Sequence, residues 1–325
     1  MYTFQELQQA VNKAIAGENM VHEPRGLYEP IEYALQAGGK RIRPVLALMA
    51  YNLFAVQPEK VIKPAIGLEV FHNFTLVHDD IMDQAEIRRN KPTVHKKWDS
   101  NVAILSGDAM FIKAYEYLFS YQGPHFKEIL KTFNDTALQV CEGQQYDMEF
   151  ENKSRVREEE YLRMIELKTA VLLACSLKIG ALMGNASIRD ADLLYQFGLS
   201  LGLAFQLQDD FLDAFGDSEI FGKKIGGDIL ENKKTYLYIK ALQQASGKDA
   251  QTLLNLYQQD YQGTPEDKIH QVINLYKKYH VPELVREKMD AYFQKAKNAM
   301  ENISVEPERT SQLVNLADEL MARKM

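Results

Sequence analysis

Apolar residues recur along this chain at spacings of three and four, the mark of helices that each bury one stripe. Phe4, Leu7, Val11 and Ile15 make one stripe, Ile31 and Leu35 a second, and Val45, Leu48 and Met49 a third. The same period runs through 66–83, 102–121, 126–150, 161–183, 191–213, 236–244, 269–279 and 285–300, while period-two alternation is hard to find anywhere. The pattern predicts an all-α protein of about a dozen helices. Segments 170–184 and 193–207 are apolar nearly all the way round, as expected of helices enclosed by other helices. No Pro/Ser-rich linker or step in composition divides the chain, so a single domain over 1–325 is expected.

Two of these segments end on the same acidic pattern, Asp79-Asp80-Ile81-Met82-Asp83 and Asp209-Asp210-Phe211-Leu212-Asp213. Residues four apart share a helix face, so Asp79 lies over Asp83 and Asp209 over Asp213. Two like charges about 4 Å apart repel by about 4 kcal/mol at a surface-like dielectric, and the C-terminal end of a helix is already negative. A single acidic helix end is ordinary solvated surface. Two matching ones, both framed by apolar residues, call for bound cations, because half-buried acids are rare unless paired or metal-bound. All-oxygen ligands suit hard divalent ions, and Mg2+ in particular shares itself between one or two carboxylates, water and a substrate phosphate. The substrate implied is phosphorylated.

Cations that answer a phosphate stand in the short breaks between helices. Lys40, Arg41 and Arg43 follow the Gly38-Gly39 turn, with Pro44 placed for a first helical turn. A guanidinium grips phosphate oxygens in a fork that lysine cannot imitate. Arg88 and Arg89 follow the first acidic run; Lys223, Lys224 and Lys233 follow the second. Lys168-Thr169 interrupts an otherwise apolar helix, and Gln206 shares roughly one face with Asp209.

Bulk properties narrow the alternatives. The chain has 325 residues, 46% hydrophobic and 26% charged, and a net charge of −7 to which the two runs contribute six aspartates. With a pI near 5.6 and no basic stripe interleaved with aromatics, a nucleic-acid surface is excluded. Cys141 and Cys175 lack metal-ligand spacing and fall in apolar helical stretches, which predicts buried thiols in a reducing compartment. The N-terminus has neither a basic start nor an apolar run, so a cytoplasmic location is expected. The most apolar stretch, 170–184, is broken by Lys178 and short of the ~20 residues that cross a bilayer, so no transmembrane segment is expected.

In this order and on this helical background, the motifs resemble those of the trans-prenyltransferases, the isoprenyl diphosphate synthases or polyprenyl synthetases. The matching pieces are Gly38-Gly39-Lys40-Arg41, the two acidic runs, Lys168-Thr169, Gln206-Leu207-Gln208-Asp209-Asp210 and Gly222-Lys223, spanning about residues 25 to 240. The resemblance implies a large helical bundle of the isoprenoid synthase type around a central active-site cavity, a homodimer, and head-to-tail condensation of isopentenyl diphosphate with an allylic diphosphate. It assigns Asp79, Asp83 and Asp209 as main ligands of three Mg2+ ions, with Asp80, Asp210 and Asp213 as outer ligands. Arg88, Lys168, Lys223 or Lys224, and Lys233 would hold the allylic diphosphate; Lys40, Arg43, His72 and Arg89 would hold isopentenyl diphosphate. Lys168, Thr169 and Gln206 would present dipoles to the carbocation. Phe71, Phe74 and Thr75, on the helix before the first run, would floor a product tunnel at a twenty-carbon or fifteen-carbon chain. A longer-chain synthase, a class I terpene cyclase and a non-catalytic partner subunit are the alternatives. A cyclase needs no second diphosphate pocket, and a partner subunit would be free to lose the aspartates.

Overall fold

The computed structural model of the chain describes residues 1–216, 225–258 and 261–322. They fall into two compact units: 1–133 with 176–192 and 304–313, and 134–175 with 193–303 and the residues from 314 on. Apart from one short hairpin, their regular structure is helical, as the periodicity predicts.

The first unit opens with α1 (Phe4–Gly17), started by a reciprocal cap in which Thr3 Oγ1 accepts the Glu6 N–H and the Glu6 carboxylate accepts the Thr3 N–H at 2.8 Å. It continues with α2 (Arg25–Gln36), α3 (Ile42–Phe54) and α4 (Ile62–Met82). Strands β1 (Ile87–Arg88) and β2 (Lys91–Pro92) pair antiparallel, and α5 (Val94–Lys97) and α6 (Ser100–Phe119) follow. Every residue of α3 from Pro44 to Leu53 is buried, and each such large apolar side chain contributes about 1.5–3 kcal/mol. α4 and α6 pack closely because position 67 is glycine: a side chain there would stand 2.8 Å from the Ala114 carbonyl oxygen. That packing fixes α4, whose last turn carries the first acidic run.

The helices that follow are α7 (Phe126–Asn152), α8 (Glu158–Ile165), α9 (Val171–Met183), α10 (Ile188–Phe215), α11 (Gly227–Leu230), α12 (Tyr236–Gln244), α13 (Gly247–Leu256), α14 (Pro265–Lys278), α15 (Val281–Glu301) and α16 (Pro307–Met321). In the second unit, Leu203, Leu207 and Phe211 of α10 share one core with Tyr161, Ile165, Leu237, Val272, Tyr276 and Val285. α9 is buried at every position except Lys178, whose ammonium meets Asp192 at 2.7 Å and Glu128 at 3.7 Å. Its apolar circumference is thus that of an enclosed helix.

Three features depart from the sequence reading. Helices α13 and α16 stand where no stripe was assigned. The hairpin is too short, at two residues a strand, to show any alternation. Cys175 is buried, but Cys141 is exposed: it lies three residues after exposed Leu138, on the outer face of α7, so an apolar run did not mean an inward thiol.

Candidate active site

Asp79 and Asp80 close the last turn of α4, and Asp83 caps it, its N–H reaching the Asp79 carbonyl at 2.9 Å. The run splits by burial. Asp83 is exposed and Asp79 half-buried, whereas Asp80 turns inward and accepts from Arg88 Nε at 2.6 Å. Burial lifts the Asp80 carboxyl above its usual range, with the Arg88 charge opposing. Arg88 Nη2 also lies 3.7 Å from Asp79.

Arg89 and Asn90 form the tip of the hairpin at φ 52° and 61°. That left-handed pair is what a two-residue hairpin turn requires. It sends two neighbouring arginines to different places: Arg88 to the acids, and Arg89 to the Gly38 carbonyl, which accepts from Nη1. Gly38 and Gly39 have φ of 84° and 133°, and a side chain on Gly39 would come within 2.9 Å of the Arg89 guanidinium. Glycine is needed here twice over, for backbone angle and for space. A pocket beside the hairpin is lined by Tyr33, Asn73, Asp80, Arg88, Arg89 and Lys91.

The three cations after the Gly-Gly turn also diverge. Lys40 is exposed. Arg43 has its Nε buried without a hydrogen bond, and burial lowers its pKa to about 10 while Glu69 opposes the change, so it stays protonated at neutral pH. Arg41, grouped with them in the sequence reading, turns the other way: it is 5% exposed and bonded to Glu69. His72, on α4, is pushed well below its usual pKa by burial and then by the charges of Arg43, Arg89 and Arg88, which makes it a neutral imidazole.

One turn and more below Asp79, the aromatic residues form a layer. The Phe74 ring stacks on Phe111 of α6 with centroids 5.3 Å apart and lies 5.5 Å from Phe71, which meets Phe133 edge-on at 5.1 Å. Phe71 is fully buried and Phe74 half-buried, so Phe74 is the exposed surface of the layer and Phe71 its backing. Thr75 bonds back to the His72 carbonyl at 2.8 Å. Phe111 gave no signal in the sequence beyond an apolar helical position.

In the second unit, the acidic run on α10 splits in the same way. Asp209 is exposed and Asp213 half-buried, while Asp210 is buried and accepts from the Tyr161 hydroxyl and from Gln206 Nε2 at 3.1 Å. Burial and the Asp228 charge raise the Asp210 pKa to about 7 against those hydrogen bonds. Asp213 accepts the Asp228 N–H at 3.0 Å and so fixes the turn into α11. Thr169 Oγ1 donates to Gln206 Oε1 at 3.2 Å, which completes a chain from Thr169 through Gln206 and Asp210 to Tyr161.

Lys168 and Thr169 sit in a π-helical turn, Glu166–Ala170, between α8 and α9. Such turns loosen the regular ladder and are frequent at functional sites. Here a side chain on Gly143 would stand 2.7 Å from the Leu167 carbonyl carbon and one on Gly202 2.7 Å from Ala170 Cα, so two glycines let neighbouring backbones grip the turn. Lys168 Nζ reaches Asp147 at 2.5 Å. Lys233 Nζ meets Glu231 at 2.7 Å and Asp228 at 3.5 Å; burial would lower its pKa, but these acids outweigh it and the net shift is upward. Lys223 and Lys224 lie outside the described residues. Tyr161, Asp147 and Glu69 were missed, since each reads as an ordinary core or surface residue of an amphipathic helix, and Asp228 was missed because it closes a glycine-rich loop read for its lysines.

Among the described residues, no three histidine, cysteine or carboxylate side chains form a ready-made ion cage. Asp83 and Asp209, exposed, and Asp79 and Asp213, half-buried, offer carboxylate oxygens alone. One or two such ligands completed by substrate phosphate and water is the way Mg2+ is held, whereas Ca2+ takes six to eight oxygens. The residues present fit Mg2+.

The polyprenyl synthetase family model matches residues 24–276. The chain belongs to the polyprenyl synthetase family. This polyprenyl synthetase is 38% identical over 303 residues to a short chain isoprenyl diphosphate synthase of Methanothermobacter thermautotrophicus, covering 93% of this chain and 91% of the relative. It is 37% identical over 316 residues to a geranylgeranyl pyrophosphate synthase of Geoglobus acetivorans, 96% of each chain. The crystal structure of a geranylgeranyl pyrophosphate synthase matches with a TM-score of 0.94 at 43% identity over 100% of both chains. The all-α isoprenyl synthase fold expected from the motifs is therefore the fold of this chain, and the polyprenyl synthetase is a prenyltransferase whose reaction class is prenyl chain elongation by condensation with isopentenyl diphosphate.

Proposed function

We propose that this prenyltransferase is a short-chain synthase that joins isopentenyl diphosphate to an allylic diphosphate and releases a twenty-carbon, or fifteen-carbon, all-trans prenyl diphosphate and pyrophosphate. The observation that carries the chain length is the aromatic layer below Asp79, where Phe74 stands on Phe71 and Phe111. A growing prenyl chain directed down α4 meets that layer and stops. Relatives named for geranylgeranyl and geranylfarnesyl diphosphate lie at similar identity, 41% and 39%, so the side chains on this helix must make the distinction.

Arg43, Arg89, Lys40 and neutral His72 hold isopentenyl diphosphate. The buried Arg43 Nε without an acceptor supports this, because a buried donor left unbonded is costly unless a ligand completes it. Arg88, Lys168 and Lys233 hold the allylic diphosphate, as do Lys223 or Lys224. Asp79, Asp83 and Asp209 would hold Mg2+, with Asp80, Asp210 and Asp213 as outer ligands, and the ion would supply positive charge that favours departure of pyrophosphate. The cations bind the departing charge more tightly than the ester, which lowers the barrier to breaking the allylic carbon–oxygen bond. The Gln206 amide oxygen, the Thr169 hydroxyl and the carbonyls of the π turn face positive charge with dipoles, and the apolar walls keep water from quenching it. The terminal alkene carbon of isopentenyl diphosphate then forms the new carbon–carbon bond, the positive charge passes to the other alkene carbon, and the methylene next to that carbon loses a proton to the pyrophosphate, which restores a double bond.

The enzyme acts as a homodimer. On α6, Leu105, Ile112 and Phe119 are 59%, 63% and 49% exposed at seven-residue intervals, a stripe that a second copy would cover. Among the described residues no helix is long and apolar enough to cross a membrane, and a cytoplasmic location is proposed.

Chromatography of the products formed from isopentenyl diphosphate with dimethylallyl, geranyl and farnesyl diphosphate tests the reading. A product of twenty or fifteen carbons is expected with Mg2+ and none after chelation. Longer products, or equal turnover in excess chelator, would refute the chain length or the metal role respectively.

A further inference from the structure

Arg41 is the one arginine of its run that faces inward, and its side chain does unusual work. Its backbone is left-handed, φ 53° and ψ 34°, and begins α3. Nη1 donates to Glu69 Oε1 of α4 at 2.7 Å, Nη2 to the Leu35 carbonyl in the last turn of α2 at 2.5 Å, and Nε to Asn12 Oδ1 of α1 at 3.2 Å. One guanidinium therefore ties four helices, and it satisfies a carbonyl that the end of α2 leaves open.

Glu69 is 2% exposed and also accepts from Asn73 Nδ2 at 3.2 Å. Its charge is felt by Arg43 and Arg89, where it raises both pKa values against burial. Glu69 is committed to Arg41 and Asn73, while its charge also favours protonated Arg43. If it swung to Arg43 it would occupy the donors that a diphosphate needs; bonded to Arg41, it offsets the crowding of positive charge from a distance and leaves those donors open.

We propose that Arg41 is a positioning residue that holds Glu69 away from Arg43 and fixes the Gly38–Arg43 turn, keeping Arg43 and Arg89 open to the diphosphate of isopentenyl diphosphate. This rests on the assignment of Arg43 and Arg89 made under the proposed function. Lysine has the charge but not the fork, and cannot span the three acceptors.

Steady-state kinetics with isopentenyl and farnesyl diphosphate varied separately test it in the wild type, Arg41→Lys, Arg43→Gln and the double variant Arg41→Lys/Glu69→Gln. Arg41→Lys should raise KM for isopentenyl diphosphate about tenfold while KM for farnesyl diphosphate stays within about twofold. Adding Glu69→Gln, which removes the competing charge, should bring the isopentenyl KM back to within about threefold of wild type. Should Arg41→Lys not fold, Glu69→Asp, whose shorter carboxylate draws away from Arg41, should show the same selective rise. A purely structural clamp would lower the melting temperature and leave both KM values alone or raise them together; either outcome, or a double variant as impaired as Arg41→Lys, overturns the proposal. If Arg43→Gln selectively raises the isopentenyl KM but Arg41→Lys and Glu69→Asp do not, the clamp falls and the pocket assignment stands. If Arg43→Gln raises neither, the pocket assignment itself falls.

Discussion

Phe74 stacks on Phe111 at a centroid distance of 5.3 Å with the planes inclined by 25°, so a residue of α4 and one of α6 make a single aromatic surface. Replacing Phe74 with alanine removes the exposed half of that surface. The product should lengthen by one or more five-carbon units, seen as later-eluting bands on reversed-phase chromatography. Phe111→Ala removes the ring on which Phe74 stacks and should give a mixture of the original and the longer product, because an unsupported Phe74 can swing aside. An unchanged product from both variants would place the floor elsewhere.

The Tyr161 hydroxyl donates to buried Asp210 beside the exposed Asp209. Tyr161→Phe leaves that carboxylate with one fewer donor, at an expected loss of about 1–3 kcal/mol in its hold on place. The concentration of Mg2+ giving half-maximal rate should rise about fivefold or more. Circular dichroism should be unchanged, since the ring still fills its site, and the melting temperature should fall by only a few degrees. A Mg2+ titration superimposable on wild type would show that the phenol serves packing alone.

Glu158 accepts from Lys240 Nζ at 2.5 Å and from Lys288 Nζ at 3.1 Å. Burial alone would raise its pKa, yet these two ammonium groups hold it below the ordinary carboxylate range. A carboxyl depressed in the folded chain stabilises fully above its unfolded value, about 4.3, and that stabilisation is lost as pH falls through the lower folded value. Glu158→Gln should therefore destabilise by about 2 kcal/mol at pH 7, and the gap should shrink in denaturation curves as the pH is taken progressively below the unfolded value. An equal gap at every pH would mean that the charge is irrelevant.

Leu105, Ile112 and Phe119 form an exposed stripe on α6. Ile112→Glu would set a charge in the middle of an apolar contact and should convert a dimer to a monomer by light scattering. A wild-type mass of one chain would remove the dimer assignment altogether.

Much of this was legible in the sequence because it depends on period and sign. The stripe of Leu7, Val11 and Ile15 is the buried face of α1, and both acidic runs close their helices as their positions suggest. What was not legible depends on single backbone angles. Lys40, Arg41 and Arg43 look like one basic patch, but the left-handed residue at 41 turns its side chain into the core while the next arginine faces another way. The equal aspartates at 79 and 80, or 209 and 210, are told apart only by which neighbour buries them; Arg88 and Tyr161 come from other elements and no spacing announces them. The π turn at 166–170 is invisible to a period count, since one extra residue per turn shifts the stripe less than a helix boundary is uncertain.

That turn has a consequence for how the chain can vary over generations. Each helical residue advances the screw by about 100°, so deleting one position from Glu166–Ala170 would restore a regular helix and rotate everything downstream by more than a quarter revolution. Lys178, the single charged residue of α9, would then be driven from its acids into the apolar interior. Substitutions in this stretch are judged one side chain at a time, but its length is inherited as a fixed quantity, a spacer whose count matters more than its spelling.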